Sequence, residues 1–222
     1  MKICILQHVL FEGPGMIKDW ADERGHSIKM HRTYLNELPE EDSFDLLIIL
    51  GGPMSANDTL PWLEREKDFI KKSIDNGSMI MGICLGAQLI AKVLGATITK
   101  NPDAEIGWFP VRCPVNFLSS ELEVFHWHSE TCSLPEGTQI LASSIACKNQ
   151  AFAYEDTVLG IQFHLEMDET SLQEILQNCK SELVAGAYIQ SEEEILSRKD
   201  LIARCREELY DLLDGFEMRC TA

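Results

Sequence analysis

Through the first ninety or so positions, short apolar runs alternate with longer stretches in which apolar residues recur at helical spacing. Residues 2–6 (KICIL) read as a first strand. The Glu12-Gly13-Pro14-Gly15 cluster then makes a loop into a helix over 16–24, closed near Gly25. Alternation over 27–33 predicts a second strand. Residues 44–50 (FDLLIIL) are almost continuously apolar, as expected of a parallel strand covered on both faces by helices. A helix over 58–76 follows, with Pro61 near its start, acidic residues early, Lys71 and Lys72 late, and Gly77 as its stop. Residues 79–83 supply the next strand. This β-α-β order predicts the α/β class: three layers, an open and mostly parallel sheet flanked by helices.

After Gly95 the pattern changes. Strand-like pieces at 96–99, 107–113, 123–127, 139–143, 151–154 and 158–163 are separated by Pro, Gly, Asn and Asp signals and fit sheet extensions and hairpins. Helical periodicity returns at 168–183, where Leu172, Ile175, Leu176 and Cys179 share a face, and again at 192–216 as one final amphipathic helix. No flexible linker precedes that helix. The expected organisation is therefore one α/β domain over 1–190, with a C-terminal helical extension over 191–222 packed on it.

Composition narrows the function. A net charge of −17 over 222 residues argues against nucleic-acid binding, which wants clustered Lys and Arg. The apolar start is soon broken by Gln7, His8, Glu12 and Gly13, so it reads as neither a signal peptide nor a membrane span, and a cytoplasmic location is the expectation. Eight cysteines without C-x-x-C pairs or zinc spacing read as free thiols. Seven of them are read as small apolar residues or incidental surface thiols; Cys84 stands apart.

Gly82 and Gly86 bracket Cys84 in Gly-x-Cys-x-Gly, between an apolar strand and a helix that starts at the cysteine. That is the sulfur version of the nucleophile elbow, and the glycines permit a sharp turn. A helix N-terminus favours an anion, which suits a thiol that is otherwise only roughly 3 per cent ionised at neutral pH. A cysteine ahead of a buried helix is also ordinary packing, so the reading depends on a base. Residues 161–166 (IQFHLE) offer His164 with Glu166 two positions on, where continued strand geometry would point both the same way and let the carboxylate hold the imidazole. Glu166 read on its own is also an ordinary helix-entry carboxylate. The Gly51-Gly52-Pro53-Met54 turn closes the neighbouring strand at its carboxyl end, where ligands gather in open parallel sheets.

These three motifs, in this order, resemble the class I (triad) glutamine amidotransferases. The match takes in Gly51-Gly52-Pro53, the elbow Gly82-Ile83-Cys84-Leu85-Gly86 with Ala87-Gln88, and Gln162-Phe163-His164-x-Glu166, over roughly residues 44–167. Among members it is similar to the amidotransferase domain of GMP synthase, and more so to stand-alone relatives that include γ-glutamyl peptide hydrolases, through Glu105-Ile106-Gly107-Trp108 and Phe125-His126-Trp127-His128. The resemblance implies a flavodoxin-like sheet and hydrolysis of the glutamine side-chain amide through a Cys84 thioester. Cys84, His164 and Glu166 would be catalytic, the N–H groups of Gly52 and Leu85 would form the oxyanion hole, and Gln88, Trp127 and His128 would bind substrate. No cofactor is implied. The implied partner is an ammonia-accepting synthetase, and no ATP-pyrophosphatase or synthetase domain follows within the 222 residues. One departure is Leu165, where many relatives have proline between the His and the Glu.

Two other readings stand beside it: a stand-alone γ-glutamyl peptide or conjugate hydrolase, and a non-catalytic regulatory or redox-sensing module with a cysteine on the same elbow. His126 and His128 share a strand face as a metal pair would, but the sequence implies no third ligand, so no metal is expected. His8, His26 and His31 read as surface residues, the four tryptophans as packing or pocket wall, and Glu192-Glu193-Glu194 as a solvated helix start.

Overall fold

The computed structural model describes residues 1–40, 43–115 and 117–220. Its elements are β1 (Lys2–Gln7), α1 (Met16–Arg24), β2 (Ser27–Arg32), β3 (Leu46–Ile49), α2 (Pro61–Asp75), β4 (Met79–Ile83), α3 (Leu85–Val93), β5 (Ile98–Arg112), β6 (Glu121–Cys132), β7 (Thr138–Ala142), β8 (Ala151–Tyr154), β9 (Val158–Ile161), α4 (Glu169–Cys179), α5 (Glu192–Ser197) and α6 (Leu201–Cys220). Seven strands form one sheet in the order β2-β1-β3-β4-β9-β8-β7. The pairs from β2 to β9 are parallel, and β8 and β7 extend the edge antiparallel. From β1 the chain winds out to β2 and then back past β1 to β3, so the winding reverses at the carboxyl ends of β1 and β3. Open α/β sheets bind ligands at such a crevice.

The near-continuous apolar runs pack both faces, because successive side chains on a strand point to opposite sides. Ile3, Ile5, Leu46 and Ile48 join a core with α1, α4, α6 and the inner face of β6. Cys4, Leu6, Leu47 and Ile49 join a second core with α2 and α3. The three-layer α/β expectation holds.

Beyond the elbow the structure differs from expectation in two places. The pieces at 96–99 and 107–113 are one strand, β5, with a register shift between Lys100 and Glu105, and it pairs with β6 in a two-stranded sheet of its own. β9 joins the main sheet beside β4, and β8 and β7 extend it. The final helix is broken into α5 and α6, and at the break the Ile195 carbonyl accepts from the capping Arg198 N–H at 3.2 Å and from the Trp108 indole N–H at 3.1 Å. Arg198, just past the break, is drawn to Glu123 on β6, 2.8 Å away. Leu209, Leu213 and Phe216 of α6 belong to the same core as α1, and Trp20 Nε1 donates to Asp214 at 2.7 Å. Among the described residues no helix is long and apolar enough to cross a membrane.

Candidate active site

Cys84 carries the strain of the elbow itself. Its φ of 50° and ψ of −107° lie where non-glycine residues are scarce, at a cost on the order of 1–3 kcal/mol. Gly82 and Gly86 do not adopt positive φ; they supply room. A Cβ on Gly82 would lie 2.6 Å from the Gly86 carbonyl carbon, and one on Gly86 would run into the Ile49 carbonyl. The turn is pinned by the Cys84 N–H donating to Ile161 on β9 at 2.8 Å and the Gly86 N–H donating to Leu50 at 3.1 Å. The thiol stands at the first turn of α3, is 7% exposed, and donates to the Trp127 carbonyl on β6 at 3.7 Å.

His164 does not sit on a strand. β9 ends at Ile161, and His164 is held by a single bridge to β6, its N–H donating to the Phe125 carbonyl at 2.8 Å. Its Nδ1 lies 2.6 Å from Glu166 Oε1, so the pairing forms without strand geometry. The wholly buried Phe163 and Leu165 flank His164 on this loop. The Glu166 carbonyl also caps α1 by accepting from the Met16 N–H at 2.8 Å. Burial alone would lower the His164 pKa; the Glu166 charge, reinforced by hydrogen bonding and by the nearby Cys84 sulfur, raises it well above the ordinary imidazole value. Its other nitrogen, Nε2, is buried and has no hydrogen-bond partner among the described residues.

The glycine turn after β3 has a support that sequence reading missed. His8 is wholly buried, as is Glu66 on α2, so His8 is not the surface residue expected; His31 is buried too. His8 Nε2 meets Glu66 at 2.8 Å and Nδ1 meets the Gly51 carbonyl at 2.9 Å. Burial depresses the His8 pKa, but the Glu66 carboxylate outweighs it and the net shift is upward, consistent with a protonated ring that donates at both nitrogens. Because the peptide is trans and planar, holding the Gly51 carbonyl toward His8 turns the Gly52 N–H to the opposite side. A Cβ on Gly52 would lie 2.8 Å from the His8 Cβ and 3.0 Å from Leu85. A His at the end of one strand and a Glu one turn into a later helix carry no sequence signal of this pairing.

Gly52, Cys84, Leu85, Gln88, Trp127 and His128 line one cavity of about 200 Å³. Both Gln88 Nε2 hydrogens are engaged, with Gln162 at 3.0 Å and the Glu130 carbonyl at 3.3 Å, which leaves Oε1 for a ligand. The Trp127 indole donates to Glu182 at 3.1 Å. The His128 ring meets the Glu130 carbonyl through Nδ1 at 3.2 Å. Three carboxylates absent from the expected set, Glu12, Glu130 and Glu182, share this wall with Lys100. Burial, reinforced by the charges of Glu166 and Glu182, holds the Glu12 carboxyl above the usual range against the pull of His164 and His8.

The sequence model of the family described as "Glutamine amidotransferase class-I" matches residues 15–182. The glutamine amidotransferase-like protein YfeJ of Salmonella typhimurium is 33% identical over 198 residues, 82% of this chain and 83% of that one. The glutamine-hydrolysing GMP synthase chain of Sulfurisphaera tokodaii is 35% identical over 57% of this chain and 70% of its own. Gamma-glutamyl peptidase 4 of Arabidopsis thaliana is 27% identical over 76% and 71%. The crystal structure of a glutamine amidotransferase from Thermotoga maritima superposes with a TM-score of 0.89 at 28% identity, covering 97% of each chain. The chain thus belongs to the class I glutamine amidotransferase family.

Proposed function

We propose that the chain hydrolyses the side-chain amide of glutamine, or a γ-glutamyl amide, through a Cys84–His164–Glu166 triad. The observation that carries this reading is the pairing of a strained elbow thiol with an imidazole whose Nδ1 is held by Glu166 at 2.6 Å and whose Nε2 is buried without a partner. The Cys84 proton passes to His164 Nε2, giving an imidazolium that Glu166 holds, and the sulfur attacks the amide carbon. The oxyanion that forms is met by the N–H groups of Gly52 and Leu85. His164 returns the proton to the departing nitrogen, which leaves as ammonia, and the acyl group remains as a γ-glutamyl thioester. Water then attacks the thioester as His164 takes its proton, and the sulfur leaves to be reprotonated, giving glutamate.

The pocket chemistry suits an amino acid. Glu130 and Glu182, with the Glu12 carboxyl beside them, suit an α-ammonium, Lys100 offers a counter-charge for an α-carboxylate, and Gln88 Oε1 and the His128 edge complete the wall. Released ammonia passes to a partner synthetase in this reading, the arrangement suggested by the GMP synthase relative. Hydrolysis of γ-glutamyl peptides without a partner is the second reading, favoured by similarity to the Arabidopsis peptidase over three quarters of the chain.

Purified protein incubated with glutamine and, separately, with γ-glutamyl dipeptides separates the two by the rates of glutamate and ammonia release. A glutamine-analogue electrophile is expected to add one γ-glutamyl-type adduct on Cys84, seen by mass spectrometry. A Cys84→Ala variant that retains the parent's turnover, or selective peroxide oxidation of Cys84 with no adduct, would overturn the catalytic reading in favour of a redox module.

A further inference from the structure

Inside the β5–β6 hairpin, next to the amide pocket, lies a second buried polar cluster. Glu105 on β5 is the cross-strand partner of His128 on β6, and His126, two residues away on the same face, pairs across from Gly107. The three side chains are at most 1% exposed. The histidine pair was visible in the sequence; the third donor arrives only through the pairing of the strands.

Each imidazole has one nitrogen on a backbone carbonyl: His126 Nε2 on Phe109 at 3.3 Å and His128 Nδ1 on Glu130 at 3.2 Å. Carbonyls only accept, so these nitrogens carry the protons, as is usual for metal-ligating histidines. The opposite nitrogens, His126 Nδ1 and His128 Nε2, present lone pairs, and both face the same carboxylate oxygen, Glu105 Oε2, at 3.6 and 3.4 Å. His128 Nε2 has no hydrogen-bond partner among the described residues. Gln150 Nε2 and Ser144 Oγ donate to Glu105 Oε2 at 2.7 and 3.1 Å, and Gln150 Nε2 stands 3.4 Å from His126 Nδ1 while its own Oε1 is unpaired. Two lone pairs converging on a buried anion repel one another unless a cation lies between them.

We propose that Glu105, His126 and His128 bind one divalent transition-metal ion as a structural site, with zinc favoured by the ligand chemistry. A tetrahedral ion with bonds of about 2.0–2.1 Å places its donors roughly 3.3–3.4 Å apart, and the two measured separations are 3.4 and 3.6 Å, with all three donor atoms within 4.8 Å. The Gln150 amide stands beside these donors, with Nε2 2.7 Å from Glu105 Oε2 and 3.4 Å from His126 Nδ1. Two imidazoles with one carboxylate suit zinc over magnesium or calcium, which prefer all-oxygen shells. The ion would tie β5 to β6 behind the pocket wall that His128 lines.

Full-length protein stripped with a chelator, then titrated with Zn²⁺, is expected to take up one equivalent by elemental mass spectrometry and to melt several degrees higher, because an ion that binds only the folded state stabilises it. Co²⁺ loading should give visible d–d bands without a thiolate charge-transfer band. Glu105→Gln and His126→Gln should lose the equivalent and the shift, while Cys84→Ala keeps both. Uptake below about a tenth of an equivalent with no melting shift would overturn the site, leaving a proton on His128 as the cation. So would a thiolate band, or retention of the full equivalent by Glu105→Gln; the wild-type titration and cobalt spectrum decide even where that variant folds poorly.

Discussion

His164 and His126 are both wholly buried and both face a glutamate, yet their pKa values move in opposite directions. At His164 the carboxylate of Glu166 is 2.6 Å from Nδ1 and accepts a hydrogen bond, so its charge outweighs burial and the proton is held. At His126 the carboxylate of Glu105 stands 3.6 Å away, shared with His128 and already occupied by Gln150 and Ser144, so burial wins and the proton is lost. The same residue types therefore serve opposite chemistries. A hydrogen-bonded pair with a free second nitrogen suits proton transfer, and a convergence of lone pairs suits a cation.

The comparison breaks most visibly at Cys84. Cys84→Ala is expected to reduce glutamate release by at least about 10⁴-fold while leaving the His126 cluster and the melting temperature nearly unchanged, measured by a coupled assay and calorimetry. Glu166→Gln sharpens it next, with kcat falling by about 10²–10⁴-fold because the imidazole loses the group that orients it. The pH dependence has a definite sign. The folded His164 pKa stands above its unfolded value of about 6.5, so the stabilisation from the protonated pair is complete below that value and is lost as pH rises through the folded one. In Glu166→Gln the alkaline limb of kcat/KM should move down toward neutrality, and the loss of stability over that alkaline range should vanish from denaturant titrations.

Smaller effects test the support of the glycine turn. His8→Ala breaks a wholly buried ion pair and is expected to cost about 3–5 kcal/mol of stability, read from urea unfolding. Glu66→Gln, which keeps shape and a hydrogen-bond acceptor, should lower kcat by about tenfold with little change in KM, since the Gly52 N–H is reoriented more than the pocket is altered. Gly52→Ala pushes a methyl against His8 and Leu85 and is expected to lower turnover similarly with a smaller loss of stability.

Much of the site was legible because its signals are local. Gly82, Cys84 and Gly86 lie within one turn, and His164 and Glu166 are two residues apart, so spacing alone picked out the thiol and the imidazole with its carboxylate. Spacing did not show that the positive φ falls on Cys84, and it overextended β9, since His164 is placed by its bridge to Phe125. His8 escaped notice because its partners, Gly51 and Glu66, lie far along the chain and an isolated histidine after a strand looks the same whether it is solvated or buried. The break before α6 was equally hidden, since one partner of the Ile195 carbonyl there is an indole that arrives from β5.

By itself the sequence determined the α/β alternation, the elbow and the order of its chemical groups, because apolar period, glycine placement and residue spacing act over a few residues at a time. Tertiary structure alone decided which faces meet. It brought Glu66 under His8, set Glu12 and Glu182 in the pocket wall with Cys84, and carried Glu105 across from His128. Strand register and helix packing bring residues dozens of positions apart within a few ångströms, and charge, burial and lone-pair direction act only at that range.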